Sequence, residues 1–282
     1  MPDARPRVGV VLLNYRGAAD TIACLASLRT LSTPVRIIVV DNGSGDDSVD
    51  EITAAAPEVE FIENARNVGF GAGNNVAIER LLADPTIEYV WLLNNDTTVE
   101  SGTLAAMVAA AISDQRIGTV GSVIYHADRP NEVQTWGGGT YSTRTGRTRD
   151  AVTAADRVDY ITAASALLRA DAVRDVGMFD PRFFFLYEDV DLGVRMQERG
   201  WKVAVAETSR VWHQGGGTSP ALSPFRMEQH AAGLIVFLRK HSRTALVGSL
   251  PMLTHYAWLS IRRRNRSILS AAWRGWRRGW KQ

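Results

Sequence analysis

The fold is decided by the segment RVGVVLLNYRGAADTIACLASLRTLSTPVRIIVVDNGS, which spans residues 7–44. Its two ends contain apolar runs rich in valine and isoleucine, at residues 7–13 and Val35–Val40. Such continuous runs are typical of parallel strands that are covered on both faces. Between them, apolar residues recur at helical spacing from Asp20 to Leu31. The segment therefore predicts a strand, a helix and a second strand in succession.

The same alternation continues beyond this segment. Helices are predicted at Asp46–Ala56 and Gly73–Leu82, and strands at Val59–Ile62 and Tyr89–Leu93. Alternating strands and helices favour an α/β fold with a doubly wound, mainly parallel sheet flanked by helices. Residues 116–187 are less regular and predict a mixed sheet with loops. The elements predicted after them are a helix at Glu188–Arg199, short strands at Val203–Ala206 and Arg210–Trp212, and a helix at Pro224–Arg239.

Each of the first four predicted strands ends in polar residues. Turns also use Asn, Asp, Ser and Gly, so one such group is explained by a turn alone. Four successive groups favour a ligand site, because ligands of open α/β sheets bind outside the carboxyl ends of the strands. Residues of these types can contact a base, a ribose and phosphates. They are Asn14, Tyr15, Arg16, Asp41, Asn42, Ser44, Arg66, Asn67, Asn94, Asn95 and Asp96.

Several common site motifs are absent from the sequence. No G-x-G-x-x-G follows the first strand, and no G-x-x-x-x-G-K-[ST] occurs, which argues against a dinucleotide-binding or P-loop protein. The HExxH and G-x-S-x-G motifs are also missing. The single cysteine, Cys24, lies among apolar residues, so we expect a buried, inert thiol. One free cysteine is consistent with a reducing compartment.

Acidic residues at two distant positions predict a metal-assisted site. Asp96 ends an apolar strand, where a carboxylate can ligate a divalent cation that bridges a diphosphate. Glu188 and Asp189 begin a predicted helix, where acidic residues also stabilise the N-terminus. The two side chains diverge by about 100° on a helix, so one is expected to act and the other to support it. His213 follows a short strand and suits a metal ligand.

Six motifs, in this order along the chain, resemble those of the family 2 glycosyltransferases, which are inverting enzymes of the GT-A fold. The resemblance covers residues 7–240 and is strongest to the rhamnosyltransferase-like members. The motifs are the first strand ending in Asn14-Tyr15, VDNGS at 40–44, NVGFGAGNN at 67–75, LLNND at 92–96, FLYEDVDL at 185–192 and WHQGGGT at 212–218.

The resemblance implies a role for each matching residue. Asp189 would be the catalytic base, and Asp96 and His213 would hold Mg²⁺ or Mn²⁺ on the leaving diphosphate. Asn94 stands where the family's D-x-D motif has its first acid, which leaves Asp96 as the charged ligand. Trp136, Gly137 and Glu188 would contact the acceptor. The nucleotide sugar would be contacted by Asn14, Tyr15, Arg16, Asp41, Asn42, Ser44, Arg66, Asn67, Gly69, Asn74, Asn94, Asn95 and Asp96.

The resemblance also implies the substrates. A rhamnosyltransferase-like enzyme is expected to use a nucleoside-diphosphate sugar, with dTDP-rhamnose favoured and a UDP-sugar second. The expected acceptor is a glycan or a sugar linked to a polyprenyl diphosphate. The nucleobase, the linkage and the choice between Mg²⁺ and Mn²⁺ stay open.

Charge is unevenly distributed along the chain. The formal net charge is +2, but residues 1–238 carry a net charge of −9, and eleven Lys or Arg and no acid follow from Arg239 onward. Trp residues on one helical face and basic residues opposite are typical of an interfacial helix on an anionic leaflet. We expect residues 262–282 to contact an anionic membrane, with a packed helix or a disordered basic end as alternatives. The apolar face contains Leu269, Trp273, Trp276 and Trp280.

These observations predict a catalytic domain at residues 1–240 and a helical membrane-surface extension at 241–282. The catalytic domain would divide into a nucleotide-binding half at 1–115 and an acceptor-binding half at 116–240. The uncharged stretch 245–261 is shorter than the ~20 residues of a spanning helix, and the chain opens without an apolar leader. The expected location is therefore cytoplasmic, at the inner face of the cell membrane.

Two other functions remain open from the sequence. One is a non-catalytic protein that binds a nucleotide sugar, which the presence of Asp96, Asp189 and His213 disfavours. The other is a scaffold recruited to the membrane by residues 262–282. Nucleic acid is not an expected partner, because no recognition fold accompanies the basic run. A nucleotidyltransferase is disfavoured by the absence of a Gly-rich loop with Arg and Lys after the first strand.

Overall fold

The structure is a computed structural model that describes residues 7–215 and 223–282. Its first four strands are β1 (Val8–Asn14), β2 (Val35–Asp41), β3 (Glu60–Glu63) and β4 (Tyr89–Asn94). They pair in parallel, in the order β3-β2-β1-β4 across the sheet. Helices connect them: α1 (Ala18–Leu28), α2 (Ser48–Ala55) and α3 (Phe70–Leu82).

The second half of the sheet is mixed. Its elements are β5 (Thr97–Val99), α4 (Thr103–Ile112), β6 (Ile117–His126), β7 (Val133–Trp136), β8 (Gly138–Tyr141), β9 (Thr148–Asp150), β10 (Tyr160–Ile161), β11 (Ser165–Arg169), α5 (Ala170–Val176), α6 (Glu188–Glu198) and β12 (Lys202–His213). Strand β11 runs antiparallel between β4 and β6, and β12 runs parallel to β6 with β5 at the edge. Strands β8, β9 and β10 form a small separate sheet. The expected α/β fold is confirmed.

Helices cover both faces of the large sheet. Alternate residues of β1 point to opposite faces, so Val10 packs in the cluster with α1 and α4 while Val11 packs in the cluster with α3 and α6. Burial of each such side chain contributes ~1.5–3 kcal/mol, and this explains the continuous apolar runs in the sequence. Cys24 is fully buried, and burial raises the pKa of its thiol to about 12. The predicted burial of this thiol is confirmed.

One sequence prediction about this sheet was wrong. Two short strands were expected, at Val203–Ala206 and Arg210–Trp212, with a break between them. In the structure β12 is one continuous strand with a bulge between Ala206 and Val211. Ser209 occupies the bulge and satisfies the interrupted ladder, because its hydroxyl donates to Ala206 and accepts from the backbone N–H of Val123 at 3.1 Å. The polar residues indicated a break in the strand, but they form a bulge within it.

Three C-terminal helices form a further layer with its own apolar cluster: α7 (Pro224–His241), α8 (Ala245–Arg262) and α9 (Arg266–Lys281). Helix α7 ends one residue beyond the predicted division at 240. The apolar cluster also continues across that division, from Tyr160 to Ala272. Among the described residues, no helix has the length and apolar character needed to cross a membrane.

Helix α9 packs by a different face from the one that the sequence indicated. Four of its five buried residues are small, namely Ala271, Ala272, Gly275 and Gly279, and the two glycines lie directly against α7. A side chain on Gly275 would collide with the carbonyl of Glu228, so glycine is needed for this close approach. Trp276 and Trp280 are half-buried against the same layer, whereas Leu269 and Trp273 stay exposed. The predicted tryptophan face is therefore divided between packing and solvent.

Candidate active site

A cleft of about 550 Å³ opens at the carboxyl ends of β1, β2 and β4. It contains polar side chains from the ends of these strands, as expected for an open α/β sheet. The second predicted acidic group lies in the same cleft, although 92 positions separate Asp96 from Glu188 in the sequence. The predicted site residues that line it are Tyr15, Arg16, Asn42, Asn67, Gly69, Asn94, Asn95, Asp96, Glu188, Asp189 and His213.

Four other predicted residues lie behind the cleft wall. Asn14, Asp41, Ser44 and Asn74 are each buried and bonded within the protein. Asn14 donates from Nδ2 to Asp41 Oδ2 at 2.7 Å, and the backbone N–H of Ser44 donates to Asp41 Oδ1 at 2.8 Å. Asn74 donates to the carbonyl of Phe70 at 2.9 Å. These side chains hold the loops of the wall, and the nucleotide contacts predicted for them stay predictions.

The loops carrying Arg66 and Gly69 meet neighbouring backbone closely. Arg66 is exposed and lies outside the cleft lining, and its backbone packs against Gly43, which has a φ of 71°. Gly69 has a φ of 95° and contacts Phe184, whose carbonyl accepts from the N–H of Phe70 at 2.7 Å. Gly69 thus allows the loop before Glu188 to approach the loop that follows β3.

The predicted acceptor contacts at Trp136 and Gly137 also lie outside the lining. Trp136 pairs with Val123 at the edge of β6, and Gly137 accepts from the N–H of Thr162 at 3.0 Å. Thr162 does line the cleft, so Gly137 supports the wall from behind. Only Glu188, of the three predicted acceptor residues, lies in the cleft among the residues that the structure describes.

Sequence reasoning missed an aromatic wall of the cleft. It consists of Phe184, Phe185 and Phe225, with Arg226 placed over the ring of Phe185 at 5.4 Å. The three consecutive phenylalanines at 183–185 were a signal, but composition does not separate core from cleft: Phe183 is fully buried while its two neighbours line the cavity. The other missed lining residues are Leu13, Gly17, Asp20, Phe70, Gln134, Thr162, Ala163, Ala164, Leu186, Gln214 and Gly215.

Sheet register brings His213 beside Asp96. Strand β5 pairs with β12 so that His213 lies opposite Thr97, the residue after Asp96. His213 Nε2 and Asp96 Oδ1 are 3.1 Å apart, and both side chains are largely buried. The rest of the WHQGGGT motif, from Gly216 to Thr218, lies outside the described residues.

The donor set at this pair fits a divalent cation. His213 Nδ1 lies 3.0 Å from Gln134 Oε1, which can only accept, so Nδ1 carries the proton and Nε2 presents its lone pair. Two ligands at right angles on a metal with bonds of ~2.1 Å lie ~3 Å apart, as these two atoms do. The described residues contain no group of three or more His, Cys, Asp or Glu that could hold an ion. The pair would therefore need oxygens of a bound diphosphate to complete the coordination.

The Glu188–Asp189 pair begins α6 on the opposite wall. Asp189 accepts from the N–H of Ala163 at 3.3 Å and from the N–H of Val190 at 2.8 Å. Burial raises the pKa of Asp189 to about 6, and these two hydrogen bonds limit the rise. Burial and the neighbouring Asp189 raise the pKa of Glu188 well above its usual value, and Glu188 Oε2 has no hydrogen-bond partner. Near neutral pH, Asp189 is therefore ionised and can act as a base, while the raised pKa of Glu188 favours the uncharged form of that neighbour.

Comparison with known proteins gives the family. The model of the glycosyltransferase-like family 2 matches residues 6–234. The chain belongs to this family. The match includes β1, the Asp96–His213 pair and the Glu188–Asp189 pair, and it ends within α7.

A relative that aligns over nearly its full length is a rhamnosyltransferase. The chain is 28% identical to the N-acetylglucosaminyl-diphospho-decaprenol L-rhamnosyltransferase of Mycobacterium tuberculosis over 303 aligned positions, which cover 94% of this chain and 96% of that protein. The predicted resemblance to a rhamnosyltransferase-like family 2 glycosyltransferase is confirmed.

Solved structures show the fold. GalNAc-T7 with UDP, GalNAc and Mn²⁺ aligns with a TM-score of 0.63 and 15% identity, over 83% of this chain and 48% of that one. The mannosyltransferase PcManGT from Pyrobaculum calidifontis, with GDP-Man and Mn²⁺, aligns with a TM-score of 0.60 and 16% identity, over 97% of this chain and 75% of that one. The GT-A fold expected for this glycosyltransferase is therefore confirmed.

Proposed function

We propose that this glycosyltransferase moves a deoxyhexose such as rhamnose, with inversion, from a nucleoside-diphosphate sugar to a hydroxyl of a lipid-linked glycan acceptor. The observation that carries the proposal is the cleft itself, since a half-buried carboxylate of raised pKa, Asp189, lines the same cavity as the Asp96–His213 pair. A transferase that inverts its sugar needs a base on one side of the anomeric carbon and charge stabilisation on the other. The rhamnosyltransferase relative supports the choice of sugar and of a lipid-linked acceptor.

In the proposed reaction, Asp189 accepts the proton of the acceptor hydroxyl. The acceptor oxygen forms a bond to the anomeric carbon as the bond from that carbon to the diphosphate oxygen breaks. The nucleoside diphosphate leaves with the electron pair, and the configuration is inverted. The raised pKa of Glu188 favours its uncharged form, which limits repulsion of the diphosphate.

The leaving group is proposed to lie against Asp96 and His213. These residues would hold Mg²⁺ or Mn²⁺, which supplies Lewis-acid stabilisation of the negative charge that develops on the diphosphate. Gln134 keeps His213 in the tautomer that such binding requires. Tyr15, Arg16, Asn42, Asn67 and the amides of Asn94 and Asn95 are the proposed contacts of the nucleotide sugar.

Calorimetric titration tests the donor site. We expect one of dTDP, UDP and GDP to bind more tightly with Mn²⁺ or Mg²⁺ than with EDTA, with dTDP favoured. The corresponding nucleotide sugar should then be consumed when a polyprenyl-diphosphate-linked sugar is added. Folded protein that binds none of the three nucleotides would contradict the proposed function. Binding without turnover would instead favour a non-catalytic nucleotide-sugar-binding protein.

A membrane contact is proposed for the C-terminal layer, at the inner face of the cell membrane. The outward side of α8 presents Val247, Leu250, Trp258 and Ile261, with Ile261 78% exposed. Leu269 and Trp273 of α9 are exposed as well. Exposed arginines flank these side chains, and no acid follows Glu228 in the sequence: they are Arg262, Arg263, Arg264, Arg266 and Arg277. Apolar residues ringed by cations suit the surface of an anionic bilayer. The proposed surface thus extends the predicted segment 262–282 into α8.

Vesicle flotation tests this surface. The wild type should float with phosphatidylglycerol vesicles and not with phosphatidylcholine vesicles, and the double substitution Trp258→Ser, Ile261→Ser should lower the bound fraction about tenfold. Ile112→Ser is the matched control, because Ile112 is 52% exposed on α4, outside this layer. Equal loss of binding in the control, or no preference of the wild type for anionic lipid, would contradict the proposal.

A further inference from the structure

The two residues before the catalytic pair have an unfavourable backbone conformation. Leu186 has a φ of 73° and Tyr187 a φ of 75°, both in the left-handed region. This conformation costs ~1–2 kcal/mol for each residue other than glycine. The two residues turn the chain into α6, so that Glu188 and Asp189 begin the helix at the cleft wall. Some other part of the structure must hold them there.

Helix α7 supplies part of that support. Gly233 allows close contact, because a Cβ at this position would lie 2.7 Å from the carbonyl oxygen of Leu186. The ring of Tyr187 packs 5.6 Å from that of Phe237. The carbonyl of Tyr187 accepts from the N–H of Asp191 at 2.9 Å, which makes Tyr187 the first residue of the helical hydrogen-bond ladder.

A buried chain of hydrogen bonds supplies the rest and reaches α8. The hydroxyl of Tyr187 donates to the carbonyl of Gly146 at 2.9 Å. That hydroxyl is therefore an acceptor toward His230 Nε2, which lies 3.4 Å away, and His230 Nδ1 is left to accept from the hydroxyl of Tyr256 at 3.1 Å. Each proton then has a defined position: Tyr256 donates to His230, His230 donates to Tyr187, and Tyr187 donates to the carbonyl of Gly146.

The ionisation of the three side chains agrees with this assignment. Burial, together with the nearby Arg226, lowers the pKa of His230 to about 4. Burial raises the pKa of Tyr256 to about 12 and also raises that of Tyr187. All three groups are therefore neutral in the range in which Asp189 is ionised.

We propose that Tyr256, acting through His230 and Tyr187, is a positioning residue for the Glu188–Asp189 pair. Tyr256 belongs to α8, which lies beyond the segment 6–234 matched by the family model. The C-terminal layer is then part of the catalytic unit of this chain, in addition to any contact with a membrane. The proposal rests on the proposed function for its kinetic consequence, but its structural consequence is independent of it.

The variant Tyr256→Phe removes only the hydroxyl. We expect kcat to fall about tenfold with KM for the donor unchanged, because a small displacement of a base slows chemistry more than it weakens binding. Ser249→Ala is the matched control on the same buried face of α8. Its hydroxyl accepts from Trp276 at 3.1 Å and lies outside the chain of hydrogen bonds, so its loss should lower the melting temperature and leave kcat within about twofold.

Hydrogen exchange gives the readout that does not depend on turnover. Amides in the first turn of α6 should exchange about tenfold faster in Tyr256→Phe and at the wild-type rate in Ser249→Ala. Unchanged exchange at 188–191 in Tyr256→Phe would overturn the proposal, as would equal losses of kcat in the two variants. If the wild type transfers no sugar while exchange changes as expected, the proposed function fails and the positioning role stands.

Discussion

Replacing Asp189 with asparagine should lower sugar transfer ~10³-fold, because the amide cannot accept the acceptor proton and a positioned base contributes ~10²–10⁴-fold. The asparagine keeps the size of the aspartate and can still accept from Val190, so α6 should begin as in the wild type. The nucleotide is proposed to bind at the opposite wall, and its Kd should stay within about threefold. Steady-state rates and calorimetry on the same preparation measure both quantities.

The wild-type pH profile gives a second measurement of the same group. Because burial raises the pKa of Asp189 to about 6, kcat/KM should rise with pH up to that value and level off above it. Below it the carboxylate is protonated and the base is lost. Asp171→Asn is the control, since Asp171 is exposed in α5 outside the cleft and should leave turnover within about twofold. More than one tenth of wild-type turnover in Asp189→Asn would rule out its role as the base.

Replacing Asp96 with asparagine, or His213 with alanine, should remove the metal-dependent part of nucleotide binding. Each change leaves one ligand of the proposed pair, and the charge stabilisation supplied by a metal on a diphosphate amounts to several kcal/mol. We expect the ratio of nucleotide affinities with Mn²⁺ and with EDTA to fall from ~100 in the wild type to about 1 in either variant, with a parallel loss of kcat. Affinity in EDTA should be the same in all three proteins.

A matched control separates this effect from a general loss of charge. Asp128 is exposed and lies just after β6. The last residue of that strand, His126, lies opposite His213 in the sheet. Asp128→Ala therefore removes a carboxylate from the same end of the sheet and should keep the wild-type affinity ratio. Metal-dependent binding that persists in both Asp96→Asn and His213→Ala would place the cation elsewhere.

The N-terminal half of the fold followed closely from local sequence. Continuous apolar runs such as residues 7–13 and Val35–Val40 have few alternatives to buried parallel strands, and the helices between them carry a clear apolar period. The polar residues at the ends of these strands converge because parallel strands share one carboxyl edge. Which of them face the ligand was not predictable, since Asn14 and Asn42 have the same chemistry and only the second lines the cleft.

The packing of the C-terminal layer, in contrast, did not follow from local sequence. The helical wheel of α9 correctly separated tryptophans from arginines, but it gave no weight to Gly275 and Gly279, which are the closest contacts with α7. A small residue has little hydrophobicity of its own and contributes to packing by allowing two backbones to lie close together. The sequence of one helix does not show this contribution, because it depends on which helix packs against it.

By itself the sequence determined the α/β alternation, the family and the residue types that the chemistry requires, because these depend on local pattern and on short motifs. Only the tertiary structure decided which residues meet. The pairing of β5 with β12 places His213 3.1 Å from Asp96 across 117 positions of sequence, and the packing of α8 places Tyr256 beside His230, which contacts the residue before Glu188. Such contacts arise from strand register and helix packing, which are fixed by burial across the whole molecule and leave no periodic signal in the segments concerned.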